Sequence, residues 1–260
     1  MLTVKGLILK EKNIGEISKS VSVLTADRGV IDIFIRGGQK SVKNAASTQL
    51  FTYSKLCVEE KYTASGHTEY YLNSSELLNA FPNIRLDITK TALAAYFCEL
   101  ILFSRTEQAG YYDVMRLILN SLYFLDNDKM NMDLLKCVFE FRLPCEIGLR
   151  PDLVGCAVCY KYEDDRMHFD FRDNKLYCDE CYFTDENSIQ AIMDKTLLYT
   201  VRFIALSEFE KLFYFRLSER YLWKLTEFTE SFIAFNFKSR FRTLEYYKSI
   251  RGETNGQDQL

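Results

Sequence analysis

Histidine is nearly missing from this chain. Its 260 residues contain two, His67 and His168. They lie far apart, and neither stands beside a serine or cysteine as a nucleophile and its base would, so triad-type chemistry has no candidate. The phosphate loops GxGxxG and GxxxxGK[ST] are also absent. Gly37-Gly38 follows a β-rich stretch but lacks the downstream lysine and helix start. Acidic runs such as Glu59-Glu60 and Asp164-Asp165 read as solvated surface. The expectation is a protein that is not an enzyme.

Other scarcities narrow the class. With only three prolines and eleven glycines, the chain is neither collagen-like nor low-complexity. No apolar run approaches the roughly 18 residues of a membrane span. The opening residues reach Lys10, Glu11 and Lys12 too early for a signal peptide and offer no small-residue cleavage site. A cytoplasmic protein is expected.

Cysteine is the residue that is present with a pattern. Four of the eight form Cys156-x-x-Cys159 and Cys178-x-x-Cys181, with eighteen residues between the pairs. This is the spacing of a four-thiolate zinc site, in which each pair turns two sulfurs onto one ion. Four core or disulfide cysteines would be the plain alternative. A closed shell of four sulfurs leaves no position for water or substrate, so the zinc would be structural. The stretch Met167–Phe171 and Lys175–Tyr177 can form a hairpin leading into the second pair. His168 reads as a strand residue rather than a ligand. Cys57, Cys98, Cys137 and Cys145 lie in apolar stretches, and the whole pattern suits a reducing compartment.

The net charge of -3 conceals an uneven distribution. Residues 1–73 carry ten Lys and Arg against seven acids, residues 74–201 thirteen against twenty-one, and residues 202–251 ten against six. Two mildly basic ends flank an acidic middle, as expected where separate surfaces meet different partners. Ordinary scatter among solvated faces gives the same totals.

Hydrophobic periodicity divides the chain. Thr3–Leu9, Ser20–Val23, Val30–Ile35 and Leu50–Glu59 are β-rich and separated by turn residues, which fits a small barrel or a sandwich equally. From about Ser74 the period becomes helical. Helices are expected over 85–108, 112–125, 131–143, 187–206 and 208–233. The fold class is α+β, multidomain. Residues 251–260 read as a flexible tail.

Arg28, Arg36, Lys40 and Lys43 gather around two turns of the β-rich part, opposed there by Asp27 and Asp32. They are candidate DNA-phosphate contacts. Phe34, Phe51, Tyr53, Tyr62, Tyr70 and Tyr71 offer rings, most of which a small barrel needs inside. Near the end, Lys238, Arg240 and Arg242 follow one another with no acid between them and are further candidates. Arg216, Arg220 and Lys224 recur every four residues, a row that suits either a phosphate track or a salt-bridged helix face.

The order of parts resembles the RecO DNA-repair family: basic β-barrel, helices, four-cysteine insert, then an aromatic helix with a basic end. Gly15-Glu16, Leu24-Thr25, Gly29, Arg36-Gly37 and Lys40-Ser41 are similar to the family's opening. Glu146–Leu153 is similar to its lead into the cysteines, and Lys238-Ser239-Arg240 to its C-terminal element. The chain departs at Tyr160, where the family often has glycine, and at Asp173-Asn174, where it often has a glycine pair. No glycine precedes Lys238.

The resemblance implies an OB-fold domain over 1–75, a helical domain over 76–150 and 186–250, and a zinc module over 151–185. It implies binding of single- and double-stranded DNA, annealing of complementary strands, and residence at the nucleoid. The implied partners are RecR and single-strand binding protein, with RecA served indirectly. A zinc-stabilised interaction adaptor without DNA binding is the alternative.

Overall fold

The computed structural model describes residues 1–38, 44–63, 66–105, 111–183 and 189–252. Two compact units divide the chain. The first holds residues 1–127 and 241–260, the second residues 128–240.

The first unit opens with five strands: β1 (Leu2–Ile14), β2 (Ser18–Thr25), β3 (Gly29–Ile35), β4 (Tyr53–Tyr62) and β5 (Thr68–Asn79). They close into a barrel in the order β1-β2-β3-β5-β4. The β3–β5 pair is parallel and the other pairs are antiparallel. This settles the choice left open by the sequence in favour of an OB-like barrel. Alternation explains the filling: Val21, Val23, Ile31, Ile33, Ile35, Leu56 and Val58 point inward with Val4 and Ile8. The helical period begins later than the sequence suggests, because β5 continues to Asn79.

Two backbone details shape the barrel. Gly6 approaches β2 so closely that a Cβ there would sit 2.3 Å from Val23 and 2.7 Å from the Leu24 carbonyl. At Leu9 the β1–β2 register slips by one residue, so that Ile8 pairs with Val23 but Lys10 pairs with Ser22. A bulge of this kind inserts one unpaired residue and re-aims the later side chains of its strand. Past the bulge, Lys10, Lys12 and Ile14 stand opposite Ser22, Ser20 and Ser18.

After a short 3₁₀ turn at Pro82–Leu86 come α1 (Ile88–Phe103) and α2 (Tyr112–Asp126). Asp87 caps α1 by accepting the Thr89 and Lys90 N–H groups.

The second unit starts with α3 (Met132–Glu146), capped by Asn131. This helix continues through Pro144, which the sequence marks as its end. The missing N–H falls in the last turn, where Arg142 and Glu146 form an ion pair one turn apart. A four-stranded sheet comes next: β6 (Asp152–Cys156), β7 (Met167–Asp170), β8 (Lys175–Cys178) and β9 (Gln190–Met193), ordered β6-β8-β7-β9.

Two expected helices are altered here. Residues 187–206 are not one helix: β9 pairs along β7, and α4 (Lys195–Leu206) begins only where Asp194 caps it through the Leu197 N–H. Nor are residues 208–233. A single turn, α5 (Phe209–Leu212), is followed by an extended stretch, and α6 (Glu219–Phe237) starts after Ser218. Glu219 in the first turn, at the helix's positive end, favours starting there. Phe141, Phe169, Phe171, Phe228 and Phe232 form the core between sheet and helices, with ring centroids 4.9–6.1 Å apart. Finally α7 (Arg242–Ile250) returns to the first unit, where Phe241 packs edge-on against Phe103 and Tyr96. Among the described residues no helix is long and apolar enough to cross a membrane.

Candidate metal centre and nucleic-acid interface

Cys156 ends β6, Cys178 ends β8, and the two strands lie side by side in parallel. Each pair is closed by a tight turn. The Tyr160 N–H donates to the Cys156 carbonyl at 2.9 Å, and the Cys181 and Tyr182 N–H groups donate to the Cys178 carbonyl at 3.0 Å. A side chain at Gly155 would meet the Lys161 carbonyl at 2.9 Å, so glycine permits the loop to fold back. Tyr160 takes the left-handed conformation, φ 63°, and Asn174 in the hairpin turn takes φ 56°. These are two of the places where the chain departs from the glycines expected from the resemblance. Asn174 is further held by its Nδ2, which donates to Asn236 Oδ1 on α6 at 2.9 Å.

The result is a cluster in which all four Sγ atoms lie within 4.8 Å of one another. Cys159 and Cys178 are 3.6 Å apart, and all eight cysteines of the chain are free thiols. A tetrahedral zinc–thiolate site, with bonds of about 2.3 Å, separates its sulfurs by roughly 3.8 Å. The cluster therefore fits a single metal ion. The backbone favours this as well. Burial pushes the Cys156 thiol up, but the N–H groups of Cys159, Cys178 and Val158 outweigh it and bring it down to about 6. Cys181 is held up at about 12, chiefly by sharing a hydrogen bond with Cys178. The backbone N–H groups thus favour the thiolate form of Cys156, the form that ligates a metal ion.

His168 stands beside the cluster but turns away from it. Its Nδ1 lies 2.6 Å from Gln190 Oε1 and its Nε2 2.6 Å from Asp179 Oδ1. The ring stacks on Tyr182 with centroids 4.7 Å apart. Arg202 of α4 ties the loop in place, donating to the carbonyls of Leu153, Val154 and Tyr162. No sequence signal marks Arg202, because its three acceptors are backbone atoms 40 to 49 residues away.

The basic residues are dispersed. Arg28 is engaged by Glu60 at 2.9 Å, by Tyr70 at 3.3 Å and by Asp27 at 3.8 Å. Glu60 is an opposing acid that the local sequence around Arg28 does not reveal. The Arg36 guanidinium lies 5.0 Å from the centre of the Tyr71 ring. Lys40 and Lys43 fall outside the described residues. Lys238 ends α6 in the left-handed conformation, φ 48°, and is exposed, as is Arg240 two residues on. Arg242 is the exposed first residue of α7. Arg216 lies outside α6, and Lys224 is paired with Asp194, so the row with Arg220 is not a continuous helical track.

Comparison with known proteins places this geometry. The family model "Recombination protein O N terminal" matches residues 1–81, and "Recombination protein O C terminal" matches residues 85–245. The chain belongs to the RecO family. A protein named "DNA repair protein RecO" from Acetivibrio thermocellus is 25% identical over 251 residues, covering 96% of this chain and 97% of the relative. One of the same name from Bacillus subtilis is 31% identical over 182 residues, covering 70% of this chain and 69% of the relative. The N-terminal RecO match is the barrel. The C-terminal RecO match takes in α1 to α6, the four-cysteine sheet and the start of α7.

Proposed function

We propose that this RecO-family chain is a DNA-binding recombination mediator. It binds single- and double-stranded DNA, anneals complementary strands, and works with RecR to help load RecA onto strands coated by single-strand binding protein. The observation that carries this reading is the closed OB-like barrel in a chain whose relatives are named for DNA repair. The contacts are assigned to Arg28 and Arg36 on the barrel, to Lys40 and Lys43, and to Lys238, Arg240 and Arg242 near the end. None of these activities needs covalent chemistry. Annealing requires that phosphate repulsion be screened while base edges stay free, which lysine and arginine accomplish.

In this reading the work divides along the domains that the resemblance implies: 1–75 for DNA, 76–150 with 186–250 as a helical scaffold, and 151–185 as a metal module. Cys156, Cys159, Cys178 and Cys181 would hold Zn²⁺, a d¹⁰ ion that suits four thiolates and supplies folding free energy rather than reactivity. The protein would act in the cytoplasm, at the nucleoid.

Anisotropy of labelled single-stranded DNA across a salt series tests the reading. Affinity that falls linearly on a log–log plot supports it. No binding at low salt overturns it in favour of the adaptor.

A further inference from the structure

The chain's negative charge is concentrated in the four-cysteine part of the second unit. Residues 151–183 hold eight acids and four bases, while the remainder holds 28 acids and 29 bases. An ion of charge 2+ held by the four thiolates would add two further negative charges there. This surface therefore repels a phosphate backbone and attracts cations. An apolar pair is exposed on it. Val158, inside the first cysteine turn, is 60% exposed, and Phe183, just past the second, is 85% exposed. Both line one pocket of about 520 Å³, together with Asp170, Asp173, Tyr177 and Tyr182. Arg172 and Cys181 complete the lining.

The two carboxylates of the pocket differ. Asp170 is buried and already matched: Arg172 donates to it through Nε at 3.1 Å and through a terminal nitrogen at 2.7 Å, and the Tyr182 hydroxyl donates at 3.4 Å. Asp173 is exposed and meets only neutral donors, the Tyr177 hydroxyl at 2.5 Å and the Lys175 N–H at 3.2 Å. A carboxylate offers about four acceptor positions, so Asp173 has room for an incoming charged donor. The rings of Tyr177 and Tyr182 lie beside it with centroids 5.8 Å apart, and such rings attract a cation. An acid without a cation, aromatic walls and an exposed apolar rim thus converge on one opening.

We propose that this pocket receives an arginine side chain from a partner protein. The guanidinium is held by Asp173 and the tyrosine rings, and an apolar neighbour of that arginine covers Val158 and Phe183. Arginine fits better than lysine, because its flat guanidinium stacks on rings and bonds a carboxylate in a fork at the same time. The partner segment is basic and apolar, the complement of an acidic surface with exposed Val158 and Phe183. Nucleic acid is turned away by the same charge, so this site does not rest on the DNA-binding reading above.

The test uses the zinc-loaded full-length protein and a fluorescein-labelled peptide in which arginine–leucine pairs alternate with serine. A second peptide carries citrulline, which keeps the shape of arginine without its charge. The arginine peptide binds about tenfold or more tighter than the citrulline peptide. Asp173→Asn with Phe183→Ser weakens it about tenfold, with zinc per chain unchanged and single-stranded DNA affinity within about twofold of the parent's. Glu227→Gln removes an equal charge from an exposed position of α6 and leaves peptide affinity within about twofold. If the double variant loses zinc, Phe183→Ser alone decides, with a loss of about threefold expected. No binding of the arginine peptide, equal binding of the citrulline peptide, or equal losses in Glu227→Gln and the pocket variant overturn the assignment. So does a pocket variant that keeps its zinc but loses DNA affinity, since the surface would then belong to nucleic acid.

Discussion

The Nε2 of His168 lies 2.6 Å from Asp179 Oδ1, directed away from the four sulfurs next to it. Its other nitrogen is taken by Gln190. With both nitrogens engaged, the ring is a strut between β7, β9 and the second cysteine turn. His168→Ala leaves the metal content per chain unchanged and lowers the melting temperature. Loss of the metal in elemental analysis would show that the histidine is a ligand.

Replacing Cys156 and Cys178 with serine removes one ligand from each turn and both strand ends. The double variant is expected to lose its metal and to destabilise the β6–β9 sheet by several kcal/mol, since structural zinc sites contribute on the order of 10 kcal/mol in small peptides. A strong chelator acts the same way on the parent protein, and added zinc reverses it. Thermal melts that ignore both treatments would contradict a structural metal.

Tyr160 holds φ 63°, a conformation that costs a non-glycine residue roughly 1–2 kcal/mol. Its side chain is 84% exposed, so little packing repays that strain. Tyr160→Gly is expected to stabilise by about 0.5–1 kcal/mol, the relief being partly offset by the greater freedom of unfolded glycine. Urea denaturation measures it; a clear loss of stability would mean that the ring has a role in packing.

Lys136 is buried with its ammonium between Glu140 at 3.0 Å and Glu230 at 2.7 Å, and Thr229 donates to Glu140 at 2.7 Å. Burial opposes the charge on Lys136, yet the two carboxylates outweigh it and raise its pKa. Lys136→Met leaves those carboxylates facing each other inside the α3–α6 packing and is expected to cost about 3–5 kcal/mol. Glu230→Gln, at the wetter edge of the network, costs less. The ranking by chemical denaturation decides: equal costs would refute a network centred on the lysine.

Some of this was legible in the residues and some was not. The four-cysteine cluster followed from spacing alone, because two CxxC turns have few ways to aim their sulfurs. The strands followed from alternation. The break between Phe213 and Ser218 did not, since apolar spacing runs straight through it and only the Ser218-Glu219 start hints at a new helix. The partner of Arg28 was hidden because Glu60 is 32 residues away. The pairing of Phe34 with Tyr71 depends on the one parallel contact in the barrel, which no local pattern encodes.

Leu9 bears on all of this without contributing a charge or a ring of its own. A strand sorts its side chains by parity, and the slip at Leu9 shifts that parity once, midway along β1. Lys10 and Lys12 therefore share the outer face with Ser22 and Ser20, and Glu11 is left to meet Lys19 at 2.9 Å. Were β1 to run on without the slip, with Leu9 itself opposite Ser22, the odd and even positions beyond it would trade faces. The outer face would then receive Glu11 and Asn13 in place of Lys10 and Lys12, with every charged residue of the composition retained. The polarity of this surface is thus a property of the strand register at Leu9, and a tally of charges would not detect its loss.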